Sequence, residues 1–210
     1  KNTITRRSAV KLIAAGTALV SSVKAESASS AKSDRIPEKN GAAIRNFQNT
    51  MKYREVGNTG IEVSALSIGT GSCEASVLEA AYGKGINLYH TSTRYMGGKA
   101  IKILARFLQK KQNNVHIALK DNFGSLDSVL ETLGVDLVDF IMFNRHNASK
   151  FKKELPAIRK RFEKWKAAGK VRFAGLTTHG QVTECVDIAL GAGFFSCIMP
   201  TYNPEMVTAL

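Results

Sequence analysis

From Met51 onwards, short apolar runs alternate with helix-like stretches, and this alternation limits the folds open to the chain. The apolar runs cover residues 65–69, 86–91, 115–120, 138–144, 172–177 and 196–203. The helix-like stretches lie near residues 74–84, 99–111, 125–133, 150–168 and 181–192. Strands that alternate with helices of this length predict parallel βαβ units and an α/β fold.

Two architectures are built from such units, a doubly wound sheet and a (β/α)8 barrel. No G-x-G-x-x-G sequence opens a helix here, which argues against the doubly wound dinucleotide-binding sheet. Polar residues follow the ends of the runs, as the active face of a barrel requires. Six runs are visible and Leu210 follows soon after the sixth. The sequence therefore predicts a barrel over residues 51–210 that is truncated after its sixth strand.

The second run ends in a polar turn that carries candidate catalytic side chains. His90 closes the run, Tyr95 follows five residues later, and Lys120 ends the next run. Parallel βα units expose reactive side chains where their strands end. We therefore expect His90, Tyr95 and Lys120 to meet at one face of the barrel.

This stretch resembles the aldo-keto reductase signature, G-I-N-x-x-D-T-A-x-x-Y-G. Residues 53–64 look like the hairpin that closes the bottom of such a barrel. Residues 125–139 are similar to the family's S-L-x-x-S-L-x-x-L-G-x-D-y-I-D, and residues 169–175 match its G-K-V-R-x-x-G. Because these motifs occur in the family's order, the resemblance covers about residues 51 to 203.

The resemblance implies an oxidoreductase that uses NADP or NAD to reduce a small carbonyl or sugar-like substrate. The family's catalytic tetrad is Asp-Tyr-Lys-His, and its Tyr and Lys correspond to Tyr95 and Lys120. A phenol serves as a general acid near neutral pH only when a nearby cation stabilises its phenolate, which is the role implied for Lys120. Asn144 stands at the family's His and can still donate a hydrogen bond.

His90 stands where the family has its Asp. An imidazole cannot neutralise Lys120, and a protonated one would repel it, so one of the two side chains is expected to be driven towards its neutral form. His146, two residues beyond Asn144, is either a further participant at the mouth of the barrel or an exposed loop residue.

The implied cofactor contacts are also altered. The resemblance assigns cofactor binding to Gly69, Thr70, Thr177 and Thr178. Thr177 keeps the hydroxyl of the family's Ser-Asn pair, whereas Thr178 lacks its amide, and Met199 replaces a hydrogen-bonding Gln. These changes support an alternative in which the barrel has lost turnover and is a binding or structural protein.

The net charge of +13 indicates no specific partner. Five of the 30 basic residues lie in the first 25 positions, and many others lie on the polar face of the helix predicted at 150–168. A solvated outer face explains that helix better than a nucleic-acid site. The three cysteines show no metal-binding spacing, so we expect no metal.

The first 50 residues contain a predicted signal peptide followed by a predicted linker. Arg6 and Arg7, followed by a mildly apolar run up to Val23, resemble a twin-arginine signal peptide over residues 1–25. An ordinary amphipathic helix is the alternative, and the run is too short for a stable membrane span. Residues 26–50 have the composition of a disordered linker. We therefore expect recognition by the twin-arginine export machinery and a periplasmic or otherwise exported location.

Overall fold

The computed structural model describes residues 38–39 and 42–203 of the chain. The predicted signal peptide lies outside these residues. The described strands are β1 (Glu38–Lys39), β2 (Ala42–Ala43), β3 (Tyr53–Glu55), β4 (Glu62–Ser64), β5 (Ile68–Gly69), β6 (Leu88–Thr91), β7 (His116–Lys120), β8 (Val138–Asn144), β9 (Val171–Thr178) and β10 (Phe195–Pro200). The α-helices are α1 (Ala75–Gly83), α2 (Lys99–Leu108), α3 (Leu126–Leu133), α4 (Ala148–Ala167) and α5 (Val182–Ala192).

Six parallel strands form one curled sheet in the order β10-β9-β8-β7-β6-β5. Each strand pairs with the next strand along the chain, so the order never reverses as it does in a doubly wound sheet. Every crossover helix then lies on the same side of the sheet. This topology is that of six consecutive units of a (β/α)8 barrel, as the sequence predicted.

The alternation of side chains along the strands separates two apolar layers. Outward-facing residues such as Tyr89, Leu119 and Ile141 pack under the helices in the larger core. Inward-facing residues form a smaller cluster on the concave side, where Ala118 and Phe140 are buried. The strands that carry the candidate catalytic residues are therefore packed on both faces, by the helices outside and by the inner cluster on the concave side.

Helix α4 shows how the basic residues are placed. Phe151, Ile158 and Phe162 are buried against the sheet, with spacings of seven and four residues. The Lys and Arg side chains between them, such as Lys153 and Lys160, are exposed. The predicted amphipathic pattern is confirmed for this helix.

The hairpin of β3 and β4 closes the amino-terminal end of the sheet. Its strands pair antiparallel, and Ile61 from its loop packs with Ala118 and Phe140 in the inner cluster. Asn87, immediately before β6, holds the hairpin in place. Its Oδ1 accepts from Ser64 N at 2.8 Å, and its Nδ2 donates to the carbonyl oxygens of Glu62 and Arg45, both at 3.0 Å. The predicted hairpin is confirmed.

Part of the segment predicted as linker contacts the sheet. Arg45 Nη1 donates to the Val115 carbonyl at 2.6 Å. Asn46 Nδ2 donates to the carbonyls of Tyr82 and Ile86 at 2.8 and 3.0 Å. The polar composition of residues 26–50 predicted a disordered linker, but in residues 42–50 polar side chains donate to backbone carbonyls of the barrel, and the Phe47 ring packs on Tyr53 with 5.6 Å between centroids.

Candidate active site at the carboxyl ends of the strands

The turn after β6 positions Tyr95. Three successive residues at this turn, Met96, Gly97 and Gly98, have left-handed backbone conformations, with φ of 53°, 63° and 87°. Glycine adopts such angles without strain, whereas Met96 does so at some cost. Ser92 Oγ fastens the start of the turn by a 2.9 Å hydrogen bond to Asn122 Oδ1. The turn therefore leaves Tyr95 half-buried at the mouth of the sheet.

Lys120 and His90 meet Tyr95 from two neighbouring strands. Lys120 is the last residue of β7, and its Nζ lies 5.5 Å from the centroid of the Tyr95 ring. The His90 ring lies edge-on to that ring, with 6.1 Å between centroids and 76° between planes. Both Lys120 and His90 are 8% exposed. The three residues singled out from the sequence are thus brought together.

His90 is the member of the pair that is driven to its neutral form. Burial, followed by the charges of Lys120 and His179, lowers the pKa of His90 from 6.5 to about 4. Its Nε2 is buried and has no hydrogen-bond partner among the described residues. His90 therefore places a neutral, unsatisfied ring beside the Lys120 ammonium.

Asn144 ends β8 with part of its amide free. Its Oδ1 accepts a 2.7 Å hydrogen bond from Thr177 Oγ1, and its backbone N–H donates to Asp121 Oδ1 at 2.9 Å. Within the described part of the chain, nothing accepts a hydrogen bond from Asn144 Nδ2. The half-buried amide can therefore donate to a group that enters the mouth.

Among the solved structures to which this chain is similar are several aldo-keto reductases. One, provisionally assigned to the family and from Pseudomonas aeruginosa, has a TM-score of 0.62 and 22% identity, covering 75% of this chain and 70% of that chain. Another, from Bacillus halodurans in its holo form, has a TM-score of 0.63 and 19% identity, covering 72% of this chain and 58% of that chain. A thermostable enzyme in complex with the inhibitor epalrestat has a TM-score of 0.59 and 22% identity, covering 74% of this chain and 64% of that chain.

The chain has the aldo-keto reductase fold. No protein-family model matches its sequence, and the identities of 19–22% extend to the fold alone. The sequence is therefore divergent on a backbone that the aldo-keto reductases share.

Two of the hydroxyls that the resemblance assigned to an aldo-keto reductase cofactor already have internal partners. Thr70 is 1% exposed and donates to Thr91 Oγ1 at 2.8 Å. Thr178 is fully buried and donates to the Gly180 carbonyl at 2.9 Å. Both hydroxyls stabilise the loops in which they lie.

The remaining two positions of that set differ in exposure. Thr177 is 1% exposed, like Thr70, and donates its hydroxyl proton to Asn144 Oδ1 at 2.7 Å. Gly69 is exposed at the end of β5, with no atom within 4 Å of the position a Cβ would take. Met199, 37% exposed, pairs with Thr177 across the sheet and adds an apolar contact only.

His146 lies at the mouth, farther out than Asn144. Its exposed ring is 5.2 Å from that of His179, and its Nδ1 accepts from the His179 backbone N–H at 2.9 Å. Partial burial and then the charges of His179, Lys120 and Arg145 lower the pKa of His146. The structure therefore places it within electrostatic range of Lys120.

Sequence reasoning did not identify the role of Asp121, which follows Lys120 directly. Its side chain is 4% exposed and forms ion pairs with Arg145 at 3.0 Å and Arg161 at 2.8 Å. These three residues line a cavity of about 470 Å³ beside the mouth. The sequence does show an acidic residue directly after Lys120. Its ion pair with Arg161 of α4 depends on tertiary contacts that no local pattern reveals.

The opposite end of the sheet carries a second buried acid. Asp139 Oδ1 lies 3.0 Å from His116 Nδ1 and 3.0 Å from Arg172 Nη1, while its Oδ2 accepts from the Ile117 N–H at 2.9 Å. Burial alone would raise the pKa of Asp139, but His116, the Ile117 N–H and Arg45 together lower it. This carboxylate is fully partnered.

Within residues 38–39 and 42–203, no three His, Cys, Asp or Glu side chains are arranged to hold a metal ion. None of the helices in that same part of the chain has the length and apolarity to span a bilayer.

Proposed function

We propose that this protein is a nicotinamide-dependent oxidoreductase that reduces a small carbonyl compound. The observation that carries the proposal is the meeting of Tyr95 with Lys120 at the carboxyl ends of two parallel strands. A Lys ammonium over the ring of a half-buried Tyr supplies positive potential where a phenolate would form. The aldo-keto reductase fold of the chain supports the same assignment.

In this proposal Tyr95 is the general acid. Its hydroxyl has no hydrogen-bond partner among the described residues, so it is free to donate to a carbonyl oxygen. Asn144 Nδ2 donates to the same oxygen and orients it. His90, neutral because of its lowered pKa, leaves the ammonium of Lys120 unopposed.

The cofactor would be NADP(H) or NAD(H), which supplies the hydride when bound. Thr177 and Gly69 are the residues that would hold its nicotinamide end, while Thr70 and Thr178 stabilise the surrounding loops. Lys120 would stabilise the phenolate that Tyr95 becomes after proton transfer.

The test is the oxidation of NADPH by the full chain with a panel of aldehydes. Tyr95→Phe should lower kcat by at least about a hundredfold, since general acid catalysis contributes about 10²–10⁴. Tyr82→Phe is the matched control, because Tyr82 lies near the amino-terminal end of the sheet and its hydroxyl only accepts from Asn114. Unchanged turnover in Tyr95→Phe would overturn the assignment.

A binding or structural protein is the second candidate. It is favoured by the internal use of the Thr70 and Thr178 hydroxyls and by the apolar Met199. A fluorescence titration with NADPH separates the two. Binding of the cofactor without turnover of any aldehyde would support this candidate over an enzyme.

We also propose that the protein is exported through the twin-arginine pathway. Arg6 and Arg7 before a short apolar run support this, and that pathway carries folded proteins, which suits an enzyme that needs a bound cofactor. Cell fractionation of a variant with both Arg6→Lys and Arg7→Lys should show the protein retained in the cytoplasm. Export at the wild-type level would refute the proposal.

A further inference from the structure

Lys120 is a buried cation that has no counter-ion within the described part of the chain. It is 8% exposed, and no ion pair or hydrogen bond of the described residues involves its Nζ. The face of the Tyr95 ring, 5.5 Å away, is its described electrostatic partner. An aromatic face compensates a buried ammonium much less than a carboxylate does. Among the described residues, the charge of Lys120 therefore has no carboxylate to balance it.

The neighbouring groups do not supply that charge. Asp121 adjoins Lys120 in sequence, but its carboxylate is engaged by Arg145 and Arg161. Of the other titratable groups near Lys120, His90 and His146 are bases, and Tyr95 presents the face of its ring. A group that pairs with Lys120 must therefore come from outside the described residues.

His90 adds a second unsatisfied group on the same side. Its buried Nε2 has no partner, and on its inner side lies an apolar cavity of about 200 Å³ lined by residues such as Leu88, Phe140 and Met142. These side chains offer neither a charge nor a strong hydrogen bond. These two groups, each more than nine-tenths buried and without a partner among the described residues, offer positions that the polar atoms of a ligand can satisfy.

We propose that the site takes a carbonyl substrate that carries its own carboxylate, and that this carboxylate pairs with Lys120. The inference rests on the proposed reductase function and names its substrate class, a short oxo-carboxylate. The anion of the substrate then occupies the electrostatic role that a carboxylate side chain at position 90 would have. Neutral aldehydes leave the ammonium unpaired and bind less well.

The test compares 4-oxobutanoate with its methyl ester, which has the same aldehyde and no charge. With the full chain and NADPH, kcat/KM for the acid should exceed that for the ester by roughly tenfold or more, as expected for a charge-assisted contact. Titration calorimetry of both compounds, without turnover, gives an independent measure of the same preference.

Two substitutions at position 90 distinguish the effect of an added negative charge on the acid preference from the effect of losing the imidazole ring. His90→Asp supplies an internal carboxylate for Lys120, so the preference for the acid should fall to about one. His90→Asn removes the ring without adding charge, so the preference should remain. An unchanged preference in His90→Asp would overturn the role of Lys120 in recognition.

The outcomes also separate this inference from the proposed function. Preferential binding of the acid without turnover supports the inference and rejects the reductase activity. Equal binding and equal turnover of acid and ester overturn the inference and leave the reductase activity intact. Binding of neither compound overturns the inference as well.

Discussion

At the amino ends of β7, β8 and β9 the buried carboxylate of Asp139 has several partners, whereas the buried ammonium of Lys120, at the carboxyl end of β7, has no ion-pair partner among the described residues. Asp139 is held by His116, Arg172 and the Ile117 N–H. Lys120 Nζ instead lies 5.5 Å from the centroid of the Tyr95 ring. Buried charges stabilise a fold only when they are paired, so the two ends differ in what they contribute. The paired end supports the fold, and the unpaired end leaves a charge available to a ligand.

Removing Asp139 should have the largest effect on stability. In Asp139→Ala, Arg172 loses its ion pair and the Ile117 N–H loses its acceptor. We expect the free energy of unfolding to fall by about 3–5 kcal/mol, as when one partner of a buried ion pair is deleted. Urea unfolding at neutral pH measures the change. A loss below 1 kcal/mol would show that the network does not stabilise the sheet.

Acid should weaken the fold through His90. Its pKa is about 4 in the folded state and near 6.5 when unfolded, so between these values only the unfolded chain binds the proton. The free energy of unfolding should therefore fall as the pH drops from about 7 to 4. The contribution of His90 is about 3 kcal/mol, since one pKa unit corresponds to about 1.4 kcal/mol.

The contribution of His90 is isolated by comparing unfolding at several pH values in the wild type and in His90→Asn. Asp139, whose lowered pKa also makes stability fall in acid, titrates equally in both proteins. The variant should show the shallower pH dependence. Identical slopes would mean that His90 is protonated in the folded protein.

Lys120→Met should stabilise the fold slightly while it removes function. Replacing an unpaired buried ammonium by an apolar side chain of similar length is expected to raise the free energy of unfolding by about 1 kcal/mol. Turnover should be lost because the phenolate of Tyr95 would have no cation near it. A clear loss of stability would indicate that Lys120 is paired in solution.

An exposed ion pair gives the smallest effect and serves as the control for Asp139. Asp127 lies 2.5 Å from Lys170 Nζ, and the two side chains are 69% and 37% exposed. Asp127→Ala should cost less than about 1 kcal/mol, because water screens such pairs. High salt should reduce the difference further. Equal losses in Asp127→Ala and Asp139→Ala would remove the contrast between exposed and buried partners.

Much of the fold followed from the sequence because periodicity reflects burial. The run at 138–144 is strand β8 without change, and the spacing of Phe151, Ile158 and Phe162 gave the buried face of α4. The meeting of Tyr95 with Lys120 followed from parallel strands ending at one face.

The hydrogen-bond partners of individual side chains could not be predicted from the sequence. Whether Thr70 or Thr178 offers its hydroxyl to a ligand depends on an acceptor that tertiary structure brings near, Thr91 Oγ1 or the Gly180 carbonyl. The docking of Arg45 on the Val115 carbonyl likewise joins positions 70 residues apart. No local pattern records such contacts, because each depends on where distant strands come to lie.

Asn87 also constrains the order in which the chain can assemble. Its amide joins it to residues 42, 25 and 23 positions earlier, at Arg45, Glu62 and Ser64. Closing such loops has an entropic cost that a single hairpin or helix does not bear. During synthesis, the hairpin of β3 and β4 can form by itself, but its hydrogen bonds to Asn87 form only after residue 87 has left the ribosome. Its docking on the sheet is complete only later, because Ile61 packs against Ala118 in β7 and Phe140 in β8.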